Sequence, residues 1–139
     1  MPIQPTSKAS APGRVEIFPE YVEGLKDLDG FSHIILLYHM HAIREQALTV
    51  TPFLDSSPRG LFATRAPIRP NPIGLSIVQL NRIDGRVLHF GDLDILDGTP
   101  ILDIKPYVPE FDYRPEARIG WLAKAKEEVK EKTSDDRFR

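Results

Sequence analysis

Three prolines within six residues, Pro67, Pro70 and Pro72, constrain this chain more than any other feature. They lie in the stretch from Arg59 to Leu75, RGLFATRAPIRPNPIGL, which also holds three Arg, two Gly and one Asn. Each proline fixes φ and removes a backbone donor, so the chain after Arg65 cannot run as regular helix or central strand. Ala66, Arg69 and Asn71 each precede a proline and are pushed to extended conformations. The expected product is a stiff, exposed loop that holds Arg65, Arg69 and Asn71 in fixed places. Stiffness of that kind lowers the entropy lost on binding. The same composition also describes an ordinary Pro-rich connection with solvated arginines. Just upstream, Leu61 to Arg65 reads as a strand with Leu61, Ala63 and Arg65 on one face. Gly74 then releases the chain into a further strand, Leu75 to Leu80.

Length and composition narrow what surrounds this loop. At 139 residues the chain makes one domain with a real core, and 41% hydrophobic and 27% charged residues are ordinary for a soluble protein. The formal net charge of -2 gives no global basic field, so any RNA binding must come from a local patch. The absence of cysteine excludes disulfides, thiolate catalysis and Cys-ligated zinc. No apolar run approaches a membrane span and the N-terminus has no signal-peptide pattern, which predicts a cytoplasmic protein with no membrane partner. Thirteen Pro and nine Gly spread through the chain predict short strands and many turns.

In chain order, Met1 to Pro12 is polar and Pro-rich, with the composition of a disordered tail. Arg14 to Phe18 alternates as a short strand, and Glu20 to Leu28 forms a helical turn. Phe31 to His41 is the strongest strand; its uninterrupted apolar run Ile34–Tyr38 predicts a central strand covered on both faces. His33, His39 and His41 share one parity of that strand. Two histidines two apart on one face can ligate a metal. With no third ligand at a matching spacing, a polar strand end beside a pocket is the better reading, and His41 is placed at the pocket mouth with no metal. Ala42 to Pro58 is irregular, with a helical turn at Ile43 to Leu48 and a mobile Asp55 to Arg59. Ser76 to Ile83 and Arg86 to Leu96 form a hairpin around Asp84-Gly85, a strong turn signal.

Asp97-Gly98-Thr99-Pro100 is a turn of another character, flanked by the apolar strands LDIL and ILDI. A free carboxylate beside a glycine that admits a ligand makes a binding corner, although a simple hairpin turn has the same residues. Asp103 and Lys105 fall on one face of the next strand, as a surface ion pair or as a catalytic acid–base pair. Glu116 to Lys132 forms a weakly amphipathic C-terminal helix with a solvated face. About six short strands with little helix predict a mainly β fold: a small closed or partly open β-barrel with short helical turns and a C-terminal helix. Residues 1–112 form the barrel domain and 113–139 a charged helical tail of the same domain. There is no P-loop, no nucleophile elbow and no Gly-rich loop opening a helix.

Three strings carry more specific information: GRVEIFPEYVEGLKDLDGFSHIILLYHMH, RGLFATRAPIRPNPIGLS and DGTPILDIKPYVPEFD. Together, and in this order, they closely resemble the TsaA-like family of tRNA adenine N6-methyltransferases, the TrmO type. The resemblance runs from about Pro2 to Asp112. It implies a β-barrel methyltransferase that binds S-adenosylmethionine, works as a homodimer and methylates N6-threonylcarbamoyladenosine at tRNA position 37. Carried over motif by motif, the cofactor residues are Pro2, Ile3 and Gln4 near the start. His41 and Ala42 follow at the end of the long strand. Arg65 belongs to ATR, Leu75 follows NPIG, and Asp97, Gly98, Thr99 and Pro100 form the corner. Asn71, Asp103, Lys105 and Tyr107 are the catalytic candidates, and Arg69 and Lys105 are candidate readers of the substrate's threonyl carboxylate.

Three departures from the family pattern stand out. Members usually have a strand before the first of these elements. Ala42 stands where some members have Gln, so it offers only backbone there. Bacterial members carry an extra C-terminal domain where this chain has only the charged tail, which bears on how tRNA docks. The competing reading is a non-catalytic RNA- or nucleotide-binding module that uses Arg59, Arg65 and Arg69 as a phosphate patch.

Overall fold

The computed structural model describes residues 12–52 and 55–127. Pro2, Ile3 and Gln4 lie outside them, as do the expected tail segment before Pro12 and the C-terminal part of the expected helix. The described chain divides into two compact units, residues 1–44 with 71–112, and residues 45–70 with 113–139.

The first unit is built on a five-stranded antiparallel sheet. Its strands are β1 (Pro12–Glu16), β2 (His33–His39), β5 (Ile73–Asp84), β6 (Val87–Asp92) and β7 (Ile101–Pro106), in the order β1-β6-β5-β2-β7. The apolar run of β2 does become central, paired with β5 on one side and β7 on the other. β5 and β6 form the hairpin that Asp84-Gly85 announces, with Gly85 at φ +59° as a tight turn requires. Alternation decides what is buried. Ile34 and Leu36 of β2, Val78 and Leu80 of β5, Leu88 and Phe90 of β6 and Val15 of β1 form the core. The opposite face of the same strands stays open: Ile73, Leu75 and Ile77 of β5 are about half exposed.

The strand starts two residues before Leu75, because Gly74 is itself a ladder residue opposite Tyr38. A side chain at Gly74 would overlap the Tyr38 ring. Elsewhere the elements are shorter than expected. β2 ends at His39 and β6 at Asp92, and the expected helical turn near Glu20 is a 3-10 turn, Pro19–Leu25.

The second unit holds the two-stranded pair β3 (Thr49–Val50) and β4 (Arg59–Gly60) and a helical stretch, 122–127. Leu61 to Arg65 is not a strand. Leu61–Ala63 is a 3-10 turn, closed where Thr64 donates both its N–H (3.0 Å) and its hydroxyl (2.8 Å) to the Leu61 carbonyl. A side chain that bonds its own upstream carbonyl competes with a ladder, and here it wins. No helix forms at Ile43 to Leu48 either; the Ala47 N–H donates to the Ile68 carbonyl instead. Asp55 to Arg59 is tied down rather than mobile: the Asp55 carboxylate accepts from Ser56 N–H, Ser57 N–H and Arg59 Nε.

Candidate active site

Strand β2 ends between the beginnings of its two neighbours, and there three separate stretches of sequence meet. The His39 N–H donates to the Pro100 carbonyl (3.0 Å), and the Met40 N–H to the Pro72 carbonyl (2.8 Å). His41 and Ile43 then fold the chain back through bonds to the carbonyls of His39 and Met40. One step inward, Tyr38 sits opposite Gly74 and Ile101, and its hydroxyl shares a hydrogen bond with Ser76 Oγ (2.9 Å). HMHA, NPIGLS and DGTP are therefore neighbours in space although 28 residues separate the first two in the chain and 20 the last two. Backbone ladder bonds do this, which any sequence could supply; the Gly74–Tyr38 fit is what these residues add.

The turn before β7 is held by Thr99, whose N–H and hydroxyl both donate to the Leu96 carbonyl, at 3.2 and 2.6 Å. Gly98 has φ +82°, a conformation a side chain resists. With the turn satisfied internally, the Asp97 carboxylate and the Gly98 backbone are left exposed. Asp97 to Ile104 form one wall of a groove of about 1590 Å³, whose other wall comes from β1 and the turn after it. The two edge strands of the sheet, β1 and β7, thus line the same space. Sequence reasoning gave no role to Phe18, Tyr21 and Phe31, which line it too and remain exposed. Their signal was available: three aromatics at or near the ends of expected elements, each close to turn residues. Nearby, the ring nitrogen Nδ1 of His41 is buried, with no hydrogen-bond partner among the described residues. A buried polar atom without a partner is expensive, and a ligand group can satisfy it.

The other expected residues distribute unevenly. Asn71 precedes Pro72 at this same end of the sheet, and Ala42 follows His41. Leu75 pairs with Leu37, which pairs on its other side with Asp103, so these three form a row on the open face. Asp103 accepts from Lys105 Nζ (2.9 Å) and from the Ile104 N–H (2.9 Å). The Lys105 ammonium chiefly holds the Asp103 carboxyl below the usual aspartate range; burial opposes it, and the Ile104 N–H adds to the lowering. Tyr107 is not at this end. Its N–H bonds the His33 carbonyl (3.1 Å) and its ring meets the His33 ring edge-on at 6.4 Å. Seven residues of mostly extended chain separate it from Pro100, about 20 Å at strand rise.

Arg65 and Arg69 belong to the second unit. Arg69 NH1 donates to the carbonyls of Thr64 (2.9 Å) and Ala66 (3.0 Å), and its guanidinium lies over the Phe62 ring. Arg59 is paired with Asp55 and lies over Trp121. Of the three arginines proposed as a phosphate patch, only Arg65 makes no internal ion pair or hydrogen bond among the described residues.

Residues 1–113 match the family model of the tRNA-methyltransferase O N-terminal domain. The chain belongs to that family. Among curated relatives of this methyltransferase family, a probable S-adenosyl-L-methionine-binding protein of Pyrococcus abyssi is 53% identical over 138 residues, 99% of this chain and 75% of the relative. The tRNA (adenine(37)-N6)-methyltransferase of Escherichia coli is 37% identical over 135 residues, 90% of this chain and 57% of the enzyme. The crystal structure of TrmO from Pseudomonas aeruginosa superposes with a TM-score of 0.65 at 42% identity, covering 81% of this chain and 49% of that one. The chain thus spans about half the length of the E. coli enzyme and of the solved structure. Within the family domain, the corner of Asp97 to Pro100, the end of β2 and the start of β5 are the residues that the fold gathers.

Proposed function

We propose that this chain is an S-adenosylmethionine-dependent tRNA methyltransferase of the cytoplasm that methylates N6 of N6-threonylcarbamoyladenosine at position 37. The observation that carries this reading is the meeting of HMHA, NPIGLS and DGTP at one end of β2, beside an open groove. The donor offers ribose hydroxyls and an amino group to a carboxylate, and Asp97 stands exposed at the corner to take one of them. Backbone at Gly98 and His41 suits close approach of the adenosyl part, and the groove's apolar lining suits its base. Arg65 is proposed, from the family resemblance, as the partner of the donor's carboxylate.

The reaction is an in-line displacement. The bond from methyl carbon to sulfonium sulfur breaks and its electron pair stays on sulfur. A bond from N6 to the methyl carbon forms, and the N6 proton leaves to a base. Positioning and electrostatics supply most of the rate. The carbamoyl group makes that N–H more acidic than a bare adenine amine, so even a weak base suffices. Asp103, three residues past Pro100 and kept ionised by Lys105, is the base we propose, and Asn71 a positioning group at the same end. The threonyl carboxylate goes to Lys105 or to the N–H groups of Arg69 not already bonded, which makes bare adenosine a poor substrate.

The open face of Ile73, Leu75 and Ile77 supports a homodimer, a second copy covering those side chains. Both edge strands facing one groove support a partly open barrel. The test is incubation with labelled S-adenosylmethionine and tRNA made with or without the threonylcarbamoyl group. Label transferred only to the modified tRNA supports the proposal. Binding of tRNA without transfer would replace it by an RNA-binding module, and equal transfer to both tRNAs would remove the selectivity.

A further inference from the structure

Phe62 is the most exposed of the chain's described large apolar side chains, 76% accessible. A single exposed Phe needs no explanation by itself. What sets this one apart is how firmly its exposure is built. The residue before it, Leu61, is 1% accessible and anchors the 3-10 turn. The residue after it, Ala63, accepts a hydrogen bond from Trp121 Nε1 at 2.8 Å. Trp121 is itself covered by the Arg59 guanidinium, 5.6 Å from its ring centroid. Downstream, Thr64 bonds back to Leu61 and its hydroxyl accepts from the Ala66 N–H (3.2 Å). The turn is thus clamped from both sides while the ring at its apex is left in water. Over that ring lies Arg69, 5.7 Å from its centroid, with NH1 fixed by two carbonyls. Arg65 stands exposed between them in sequence. All of these residues belong to the second unit.

We propose that Phe62 is a stacking platform for an unpaired nucleobase in a loop of the RNA substrate, with Arg69 and Arg65 as its flanking cations. The proposal rests on the tRNA reading above and adds a contact to a nucleotide other than the methylated one. An aromatic ring takes any base by its π-face, and single-stranded stretches are where bases are free to stack. The cations suit the phosphates on either side of such a base, in a chain whose net charge of -2 supplies no general attraction. A ring held on a prefixed turn loses little entropy when the base arrives. A protein partner would be drawn to a broad apolar area, whereas here one ring stands among guanidinium groups.

The experiment uses the full chain and an anticodon stem-loop RNA with 2-aminopurine at each unpaired position in turn. Stacking on Phe62 quenches the probe at one position. Phe62→Ala abolishes that change and weakens binding about 5- to 100-fold. Phe62→Trp keeps both, and Arg65→Ala lowers the salt slope by about 0.7. The exposure of the ring makes these variants safe for folding. Equal quenching and affinity in wild type and Phe62→Ala would overturn the platform, as would no RNA binding by wild type. Light scattering that shows Phe62→Ala turning a dimer into monomers would overturn it too, by making the patch an interface between copies. Methylation is read separately. Phe62-dependent binding without methyl transfer keeps the platform and removes the enzyme reading, whereas methylation untouched by Phe62→Ala does the reverse.

Discussion

The two ends of strand β2 carry histidines and face neighbouring strands, yet they are finished differently. At the His33 end the backbone and one ring nitrogen are bonded within the chain. Ser32 Oγ lies 2.8 Å from the His33 ring, the His33 carbonyl accepts from Tyr107, and the Ser32 carbonyl accepts from Leu80. At the His39 end the backbone is tied to Pro72 and Pro100, but side-chain capacity is left over. His41 Nδ1 is buried without a partner among the described residues, and the Asp97 carboxylate and Gly98 are exposed beside a groove. A strand end whose buried polar atoms are all paired is structure; one that fixes its backbone and leaves a buried polar atom unused is suited to a ligand. By that measure we propose the corner at Asp97–Pro100, and not the His33–Tyr107 end, as the place of the cofactor.

The sharpest way to break this contrast is to disturb the open end from behind. Gly74→Ala puts a methyl group into the Tyr38 ring and separates Tyr38 from Ser76. Overpacking of this kind costs about 1–3 kcal/mol, so the thermal midpoint should fall by several degrees, with loss of cofactor binding. An unchanged melt would show that the ring has room to move.

Asp97→Ala should weaken S-adenosylmethionine binding by about 1.5–3 kcal/mol in calorimetry, the range of a hydrogen bond to a charged group. Gly98→Ala, forced to keep φ near +82°, adds strain of about 1–2 kcal/mol and should weaken binding by a similar factor. Arg65→Ala is the parallel test for the second unit. Affinity unchanged in Asp97→Ala and Gly98→Ala, with the fold intact, would remove the corner from the site.

Tyr107→Phe probes the closed end. Its phenol sits about 20 Å of chain away from the corner, so cofactor affinity and single-turnover methylation should change less than twofold. A large loss of rate with normal affinity would mean that Tyr107 reaches the site from a second copy.

The smallest expected effect concerns Asp103. Its carboxyl is held below the unfolded value by Lys105, so the pair's contribution is complete above about pH 4 and lost as pH falls through the lowered folded value. Both side chains are half exposed, so the contribution is small. Asp103→Asn should flatten the acid limb of stability between pH 5 and pH 2.5, measured by denaturant midpoint, and leave the neutral value nearly unchanged.

Much of this arrangement is legible in the residues. The unbroken apolar run Ile34–Tyr38 announces a central strand, but the expected cover on both faces is not there: Ile34 and Leu36 are buried, whereas Ile35 and Leu37 on the other face are only partly so. Asp84-Gly85 fixes its hairpin, and Thr99 and Gly98 are typical of the turn they make. What escapes is set by partners remote in sequence. That Gly74 is a packing glycine depends on Tyr38, and that Leu75 and Asp103 share a row depends on register. Leu61 to Arg65 alternates like a strand, yet one hydroxyl at Thr64 is enough to wind it into a turn. The candidate catalytic group was assembled by motif, and the pairing of β2 with β7 separates Tyr107 from Asn71 at the scale of the whole sheet.

The most direct test of the central claim is a crystal structure of the full chain with S-adenosylmethionine bound. The account predicts the ribose or amino group within hydrogen-bond distance of Asp97, and the adenosyl part against Gly98–Pro100 and the backbone of His41. A ligand seated at the His33–Tyr107 end, or one with no atom in reach of Asp97 to Pro100, would contradict it.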